Sequence, residues 1–191
     1  MVAIVSLLDA EYSDKVNSLI YELEREFGLK GVQATPYPHI TWLTANDGSI
    51  DEIKAALGQA AGICCRFMVR TTGLGVFPGV NPVLYIPVLR TYALNRFHHQ
   101  LHNAISNISQ ETGAYYHPEF WMPHLSLALG DTTPELVAQA MLYLNRESYC
   151  WQMELTNLTL LTKNGDHYLK DGEFPLLDSR EPSALKLSSL K

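Results

Sequence analysis

The feature that most constrains the fold is internal repetition at an offset of 85 residues. Shifted by that amount, Pro38 falls on Pro123, His39 on His124 and Thr41 on Ser126. The same shift puts Cys65 on Cys150, Met68 on Met153 and Thr71 on Thr156, and it sends Val16, Ile20 and Leu23 onto Leu101, Ile105 and Ile108. One offset joining three separated segments points to a duplicated unit. Two similar halves meeting face to face bring corresponding residues together about a pseudo-two-fold axis.

Each half reads alike. IVSLL (4–8) and VLYIPVL (83–89) are apolar, strand-like runs. Helices follow, SDKVNSLIYELEREFG with Ser13 as N-cap and Gly28 as stop, then YALNRFHHQLHNAISNIS. After the histidine-bearing strands come second helices, SIDEIKAALGQAAG and TPELVAQAMLYLNRE, the latter capped by Thr133 with Pro134 in its first turn. CRFMVRTTGLGVF and CWQMELTNLTLLT close the halves as strand material, the second turning at Asn164-Gly165 into HYLKDGEF. The expectation is an α+β, bilobal duplicated fold: two antiparallel-leaning sheets, each under the helices of its own half, around a central cleft. Residues 1–176 are expected to form one bilobal domain and 177–191 a loosely ordered tail.

Composition excludes several classes. No apolar run approaches the ~18 residues of a membrane span, and the N-terminus lacks the basic leader and cleavage signature of a signal peptide. Three cysteines, two adjacent (Cys64, Cys65), do not make a disulfide framework; reduced thiols in a cytoplasmic protein are expected. A net charge of −6 argues against gripping long duplex nucleic acid, where phosphate neutralisation dominates affinity. A small phosphate-bearing ligand in a local pocket remains compatible, and a monomer is expected.

The repeated element that carries chemistry is Pro-His-apolar-(Thr/Ser)-apolar. A lone His-x-(Thr/Ser) triplet arises by chance about once in such a chain, so its weight comes from the repeat. Side chains two apart on a strand share a face. His39, Thr41 and Leu43 therefore face one way, with Ile40 and Trp42 packed behind; His124 and Ser126 repeat this over Leu125 and Leu127. Two imidazoles converging in one cleft suit in-line displacement at phosphorus, one taking the proton of the attacking hydroxyl or water and the other protonating the leaving oxygen. The hydroxyls of Thr41 and Ser126 can donate to nonbridging phosphate oxygens. With no carboxylate or His/Cys cluster beside the motifs, metal-free catalysis without a cofactor is the economical reading.

The pair HITW (39–42) and HLSL (124–127), together with GLGVFPGVNPVLYIPV (73–88), resembles the 2H phosphoesterase superfamily, in particular its bacterial branch named for 2′-5′ RNA ligase and cyclic nucleotide phosphodiesterase activity. The resemblance spans roughly residues 2–170. It implies a bilobal α+β domain acting on RNA-type phosphodiesters: 2′,3′-cyclic phosphate ends, 2′-5′ linkages and ADP-ribose cyclic phosphate. It also implies that His124 activates water while His39 protonates the leaving oxygen. Some relatives carry a basic residue after the second tetrapeptide, where this chain has Ala128, Leu129 and Gly130, and the Phe-Pro stretch continues with Gly79 and Val80. These departures tilt the expectation toward a small nucleotide or RNA-end substrate.

Among the aromatics, Tyr37 shares the face of His39, and Phe77 and Tyr85 come from the family-like segment; any of the three could stack on a base. Trp42 and Trp121 have the wrong parity and are expected to pack. His98 and His102 have metal-ligand spacing, but lacking a third ligand they read as a solvated helix face. His117 and His167 fall in predicted turns. The cysteines, at strand starts, read as small core residues. Two rival functions remain: a nucleotide- or RNA-end-binding module without turnover, and 2′-5′ RNA ligase activity.

Overall fold

The computed structural model describes residues 1–178. The duplicated unit is legible in its strands. In the first lobe β1 (Val2–Leu7) pairs antiparallel with β2 (His39–Ala45) on one side. On its other side it pairs with β8 (Asn157–Asn164), which pairs with β9 (His167–Pro175), giving the order β2-β1-β8-β9. In the second lobe β4 (Gly75–Phe77), β5 (Val83–Pro87) and β6 (His124–Ala128) form an antiparallel sheet in that order. The two histidine strands, β2 and β6, are both edge strands.

Between the lobes β3 (Phe67–Arg70) pairs antiparallel with β7 (Gln152–Leu155). Phe67 lies opposite Leu155 and Arg70 opposite Gln152. The 85-residue offset turns the first pair into the second, so the pseudo-two-fold axis passes through the middle of this ribbon.

The helices depart from expectation. Among the described residues there are four α-helices: α1 (Ala10–Phe27), α2 (Ile50–Ala61), α3 (Tyr92–Ser106) and α4 (Pro134–Leu144). The first helix of each half covers the other half's sheet: α1 packs on β6 and α4, and α3 packs on β2 and α2. Periodicity shows that α1 has an apolar face, built from Val16, Leu19, Ile20 and Leu23. Which sheet that face covers is a long-range outcome. The exchange merges both lobes into one hydrophobic core running from Ile4 and Trp42 to Leu125 and Leu158. Helix α1 starts earlier than expected, because Asp9 rather than Ser13 caps it by accepting from the Tyr12 N–H; Gly28, at φ 73°, ends it as expected. Thr133 caps α4, with Pro134 in its first turn.

Each histidine strand carries a β-bulge, at Trp42 opposite Ile4/Val5 and at Leu127 opposite Leu84/Tyr85. A bulge adds one residue and inverts the alternation beyond it. Leu43 therefore does not share the face of His39; it is fully buried in the core, and Thr44 takes the cleft side instead. The strands preceding the histidine strands, β1 and β5, match at an offset of 80, as the two bulges show. The repeat has thus drifted by five residues between the first and second strands of each half.

The cysteines also depart from expectation: Cys64 is half-buried, while Cys65 and Cys150 are exposed, and all three are free thiols. Burial pushes the Cys64 thiol up to about 11. Leu177 is tied to the body, donating its N–H to Cys64 O and accepting from Arg66 N–H, both at 2.9 Å. Residues 179–191, the rest of the expected tail, lie outside the described residues. Among the described residues no helix is long and apolar enough to cross a membrane.

Candidate active site

The site begins with the prolines. Pro38 and Pro123 each precede a histidine, and proline keeps the residue before it, Tyr37 or Met122, extended. The prolines' own carbonyls seat the neighbouring strand, accepting from Leu8 N–H at 3.1 Å and Val88 N–H at 2.9 Å. The carbonyl of each pre-proline residue then meets the histidine ring: His39 Nδ1 lies 2.5 Å from Tyr37 O, and His124 Nδ1 lies 2.6 Å from Met122 O. A carbonyl only accepts, so both Nδ1 atoms carry hydrogen and donate. Each Nε2 is left as the titrating atom. Duplication has produced two rings with the same tautomer, built by the same local device.

Both rings line one cavity of about 890 Å³ between the lobes, together with Thr41 and Ser126. Thr41 lies opposite Val5 in the β1 ladder, and Ser126 lies opposite Tyr85 in the β5 ladder. The Tyr116 phenol is hydrogen-bonded to Thr41, and its own proton is held more tightly by burial. Burial lowers the proton affinity of both histidines, while the carbonyls at Nδ1 pull the other way. His39 is lowered further by the charge of His124, so the two rings feel each other electrostatically. Burial thus favours the neutral form of both rings. An anion placed between them favours a proton on one.

The expected aromatic residues separate. Tyr37 and Phe77 line the cavity. Tyr85 does not; it is 6% exposed and stacked beneath Phe77, with ring centroids 4.1 Å apart. Phe77 and Tyr85 both pack against His124, at centroid distances of 5.0 and 5.2 Å. Tyr85 fits only because residue 75 is glycine: a Cβ there would lie 2.6 Å from its ring. Sequence reasoning missed Tyr115, Tyr116, Phe120 and Tyr168, all of which line the cavity. The signal was present, since four aromatics crowd into AYYHPEFW immediately before the second motif.

Trp42 and Trp121 are buried and stacked, with centroids 5.3 Å apart, but Trp121 also reaches the cavity wall. His98 corrects the reading of a solvated helix face: it is fully buried and stacked flat on Trp121 at 3.8 Å. At the β2 bulge two successive carbonyls turn to side-chain donors. Trp121 Nε1 donates to Thr41 O at 2.9 Å, and His98 Nε2 donates to Trp42 O at 3.0 Å. His98 Nδ1 has no partner, and burial pushes the ring's pKa down to about 4. His102 stands beside His98 and His117 at centroid distances of 6.3 and 5.3 Å. Among the described residues no three of His, Cys, Asp and Glu gather as a metal site.

Two aspartates just beyond the histidine strands anchor the loops facing them. Asp131 accepts from the N–H groups of Lys30 and Gly31 at 2.7 and 2.8 Å. Asp47 accepts from the Ser109 hydroxyl and from the Glu111 N–H at 3.0 Å. The anchored loops, before β2 and before β6, carry the cavity walls around Gln33 and Tyr116.

The sequence model of the 2′-5′ RNA ligase superfamily matches residues 12–167. Among solved structures, one of TT0787 of Thermus thermophilus superposes with a TM-score of 0.61 at 16% identity, over 93% of this chain and 98% of that one. E. coli LigT complexed with 3′-AMP superposes at 0.55 and 14% identity, over 92% of this chain and 96% of that one. A structure described as a phosphoesterase gives 0.57 at 14% identity, covering 92% and 97%. At such identities the likeness speaks for the fold. No protein of curated function matches the sequence.

Proposed function

This chain belongs to the 2′-5′ RNA ligase superfamily, and from that premise we propose that it is a phosphodiesterase opening 2′,3′-cyclic phosphates or related small RNA-type phosphodiesters by two-histidine acid–base catalysis, without a metal. The observation that carries the reading is the matched pair of Nδ1–carbonyl bonds, which leave two Nε2 atoms at one cavity. A substrate phosphate between them has a base on one side of phosphorus and an acid on the other. Water loses a proton to one Nε2 as its oxygen bonds to phosphorus. The other Nε2–H gives its proton to the ribose oxygen as the P–O bond breaks. Thr41 and Ser126 supply hydrogen bonds to the nonbridging oxygens.

Following the family resemblance, we assign water activation to His124 and leaving-group protonation to His39. Burial lowers both rings, so the electrostatics of the cleft do not single out either one as acid or base. The two rings titrate as a pair, and the bound phosphate redistributes the proton between them. With a ribose hydroxyl in place of water as the attacking group, the same proton transfers break the same P–O bond of the cyclic phosphate and leave a new phosphodiester, which is the ligation reading. That E. coli LigT has been crystallised with 3′-AMP and ATP supports a nucleotide-sized ligand.

The test is a screen of 2′,3′-cyclic nucleotides, ADP-ribose cyclic phosphate and 2′-5′ dinucleotides, with and without chelator. Turnover that survives chelator is expected. Loss under chelator with rescue by added metal overturns the metal-free step, and tight binding without turnover replaces the enzyme with a binding module.

A further inference from the structure

The walls of the catalytic cavity contain histidines, hydroxyls, amides and rings, but no Asp, Glu, Lys or Arg among the described residues. Lys30, which precedes the lining residue Gly31, does not itself line the cavity, and neither do Lys170 and Arg90. Lys170, beside Tyr37, is ion-paired with Glu173 at 2.9 Å. Arg90 lies over the Trp121 ring at 5.9 Å, its guanidinium donating to Asn95 Oδ1 and Pro118 O. The nearby carboxylates would repel an anion: Glu24 accepts from Gln33 Nε2 at 2.8 Å, and Asp131 holds the Gly31 turn. Any positive charge in the cleft must come from the histidine pair, whose burial favours the neutral form.

The mouth is apolar. Tyr115 is 86% exposed and Phe120 69% exposed, and both rings line the cavity. Large aromatics left in water at the rim of a cleft are stacking platforms for a flat ligand. Phe77, held by Tyr85 beneath it, offers a third ring beside His124.

We infer, resting on the phosphodiesterase reading, that the cleft selects phosphodiesters whose reacting phosphate is their only charge, attached to an unphosphorylated nucleoside or similar flat group. A histidine pair sharing one proton balances one negative charge. A second phosphate, whether a 5′-monoester or a pyrophosphate, enters a half-buried wall that offers it no cation. ADP-ribose cyclic phosphate and 5′-phosphorylated RNA ends are therefore poor substrates, and a cyclic nucleotide with a free 5′-hydroxyl is a good one.

The experiment compares adenosine 2′,3′-cyclic phosphate with its 5′-phosphorylated form, read by kcat/KM on the wild type. The same ratio is read by calorimetric binding to the His39→Ala variant, so that affinity is measured without turnover. The 5′-hydroxyl form is expected to be favoured about tenfold in both, the order expected for one unscreened charge near a protein surface. A ratio below about threefold overturns the inference. A binding preference with no wild-type turnover overturns the hydrolase reading and leaves the charge selectivity standing. Asn81→Lys, which puts a cation on the cavity wall, is expected to bring the ratio close to one, while Asn81→Gln leaves it high. A ratio unmoved by the lysine overturns charge as the cause.

Discussion

The two histidine strands are copies of one motif, yet they are braced differently. On β2 the bulge carbonyls are taken by Trp121 and His98, and the Thr41 hydroxyl by Tyr116. All three partners come from the other half of the chain. On β6 the bracing is by rings, since Phe77 and Tyr85 pack directly on His124. The positions 85 residues before Trp121 and His98 are Pro36 and Ser13, neither of which carries a ring N–H. Local geometry makes the imidazoles equivalent, and the surroundings make them different. The pair can therefore divide acid and base work although the motif that builds it is symmetric.

The comparison breaks most visibly if either ring is removed. His39→Ala and His124→Ala are each expected to lower kcat by about 10²–10⁴-fold. On the proposed mechanism the two act as a unit, so the double variant should be little worse than either single one. Thermal unfolding should stay close to wild type for all three. Fully multiplying losses would show that the rings act independently.

A nitrophenyl phosphodiester sharpens the division of labour. Its leaving group needs little protonation, so it should rescue the acid variant by at least tenfold relative to a natural ester. The family assignment expects rescue in His39→Ala. Rescue confined to His124→Ala would reverse the roles, and equal rescue would erase the functional difference between the halves.

The bracing itself is tested by Trp121→Phe, which keeps the stack and deletes the donor to Thr41 O. An unpaired buried carbonyl costs about 1–3 kcal/mol, visible as a lowered denaturation midpoint, with kcat falling more than KM rises as the strand under His39 loosens. No change in either would mean that the β2 carbonyls need no brace.

His98 adds to the β2 side a pH dependence beyond that of the two cleft histidines, which burial also lowers. Burial is the main cause of its depressed pKa; its bond to Trp42 O opposes that, and the charges of His102, His99 and Arg90 add to it. Unfolded, His98 takes a proton near pH 6.5; folded, it resists until about pH 4. Its contribution is thus fully present above pH 6.5 and is lost as pH falls toward 4. The loss amounts to roughly 3 kcal/mol. Urea unfolding at a series of pH values should show that slope in the wild type and a flatter one in His98→Gln.

Much of this was legible in the sequence. The Pro-His-x-(Thr/Ser) pairs, their shared offset and the parity of His39 with Thr41 needed only the period of a strand, and the cavity contains all four side chains. Parity failed at the next position of that face, Leu43, because the bulge at Trp42 is a single inserted residue that no alternation announces. On sequence His98 reads as solvated because no third ligand accompanies its spacing with His102; it is buried because Trp121, from a distant loop, lies flat on it.

By itself the sequence determined the duplication, the shared face of each histidine and its hydroxyl and, through the two prolines, the identical tautomers of His39 and His124. These depend on backbone preferences acting over a few residues. Tertiary structure alone decided that α1 and α3 would exchange lobes, that Trp121 and His98 would brace β2, and that rings from Tyr37, Phe77, Tyr115 and Tyr168 would meet around an uncharged cleft. Those outcomes depend on which apolar faces find each other across most of the chain, and the period of a segment shows only that a face exists, not what it will cover.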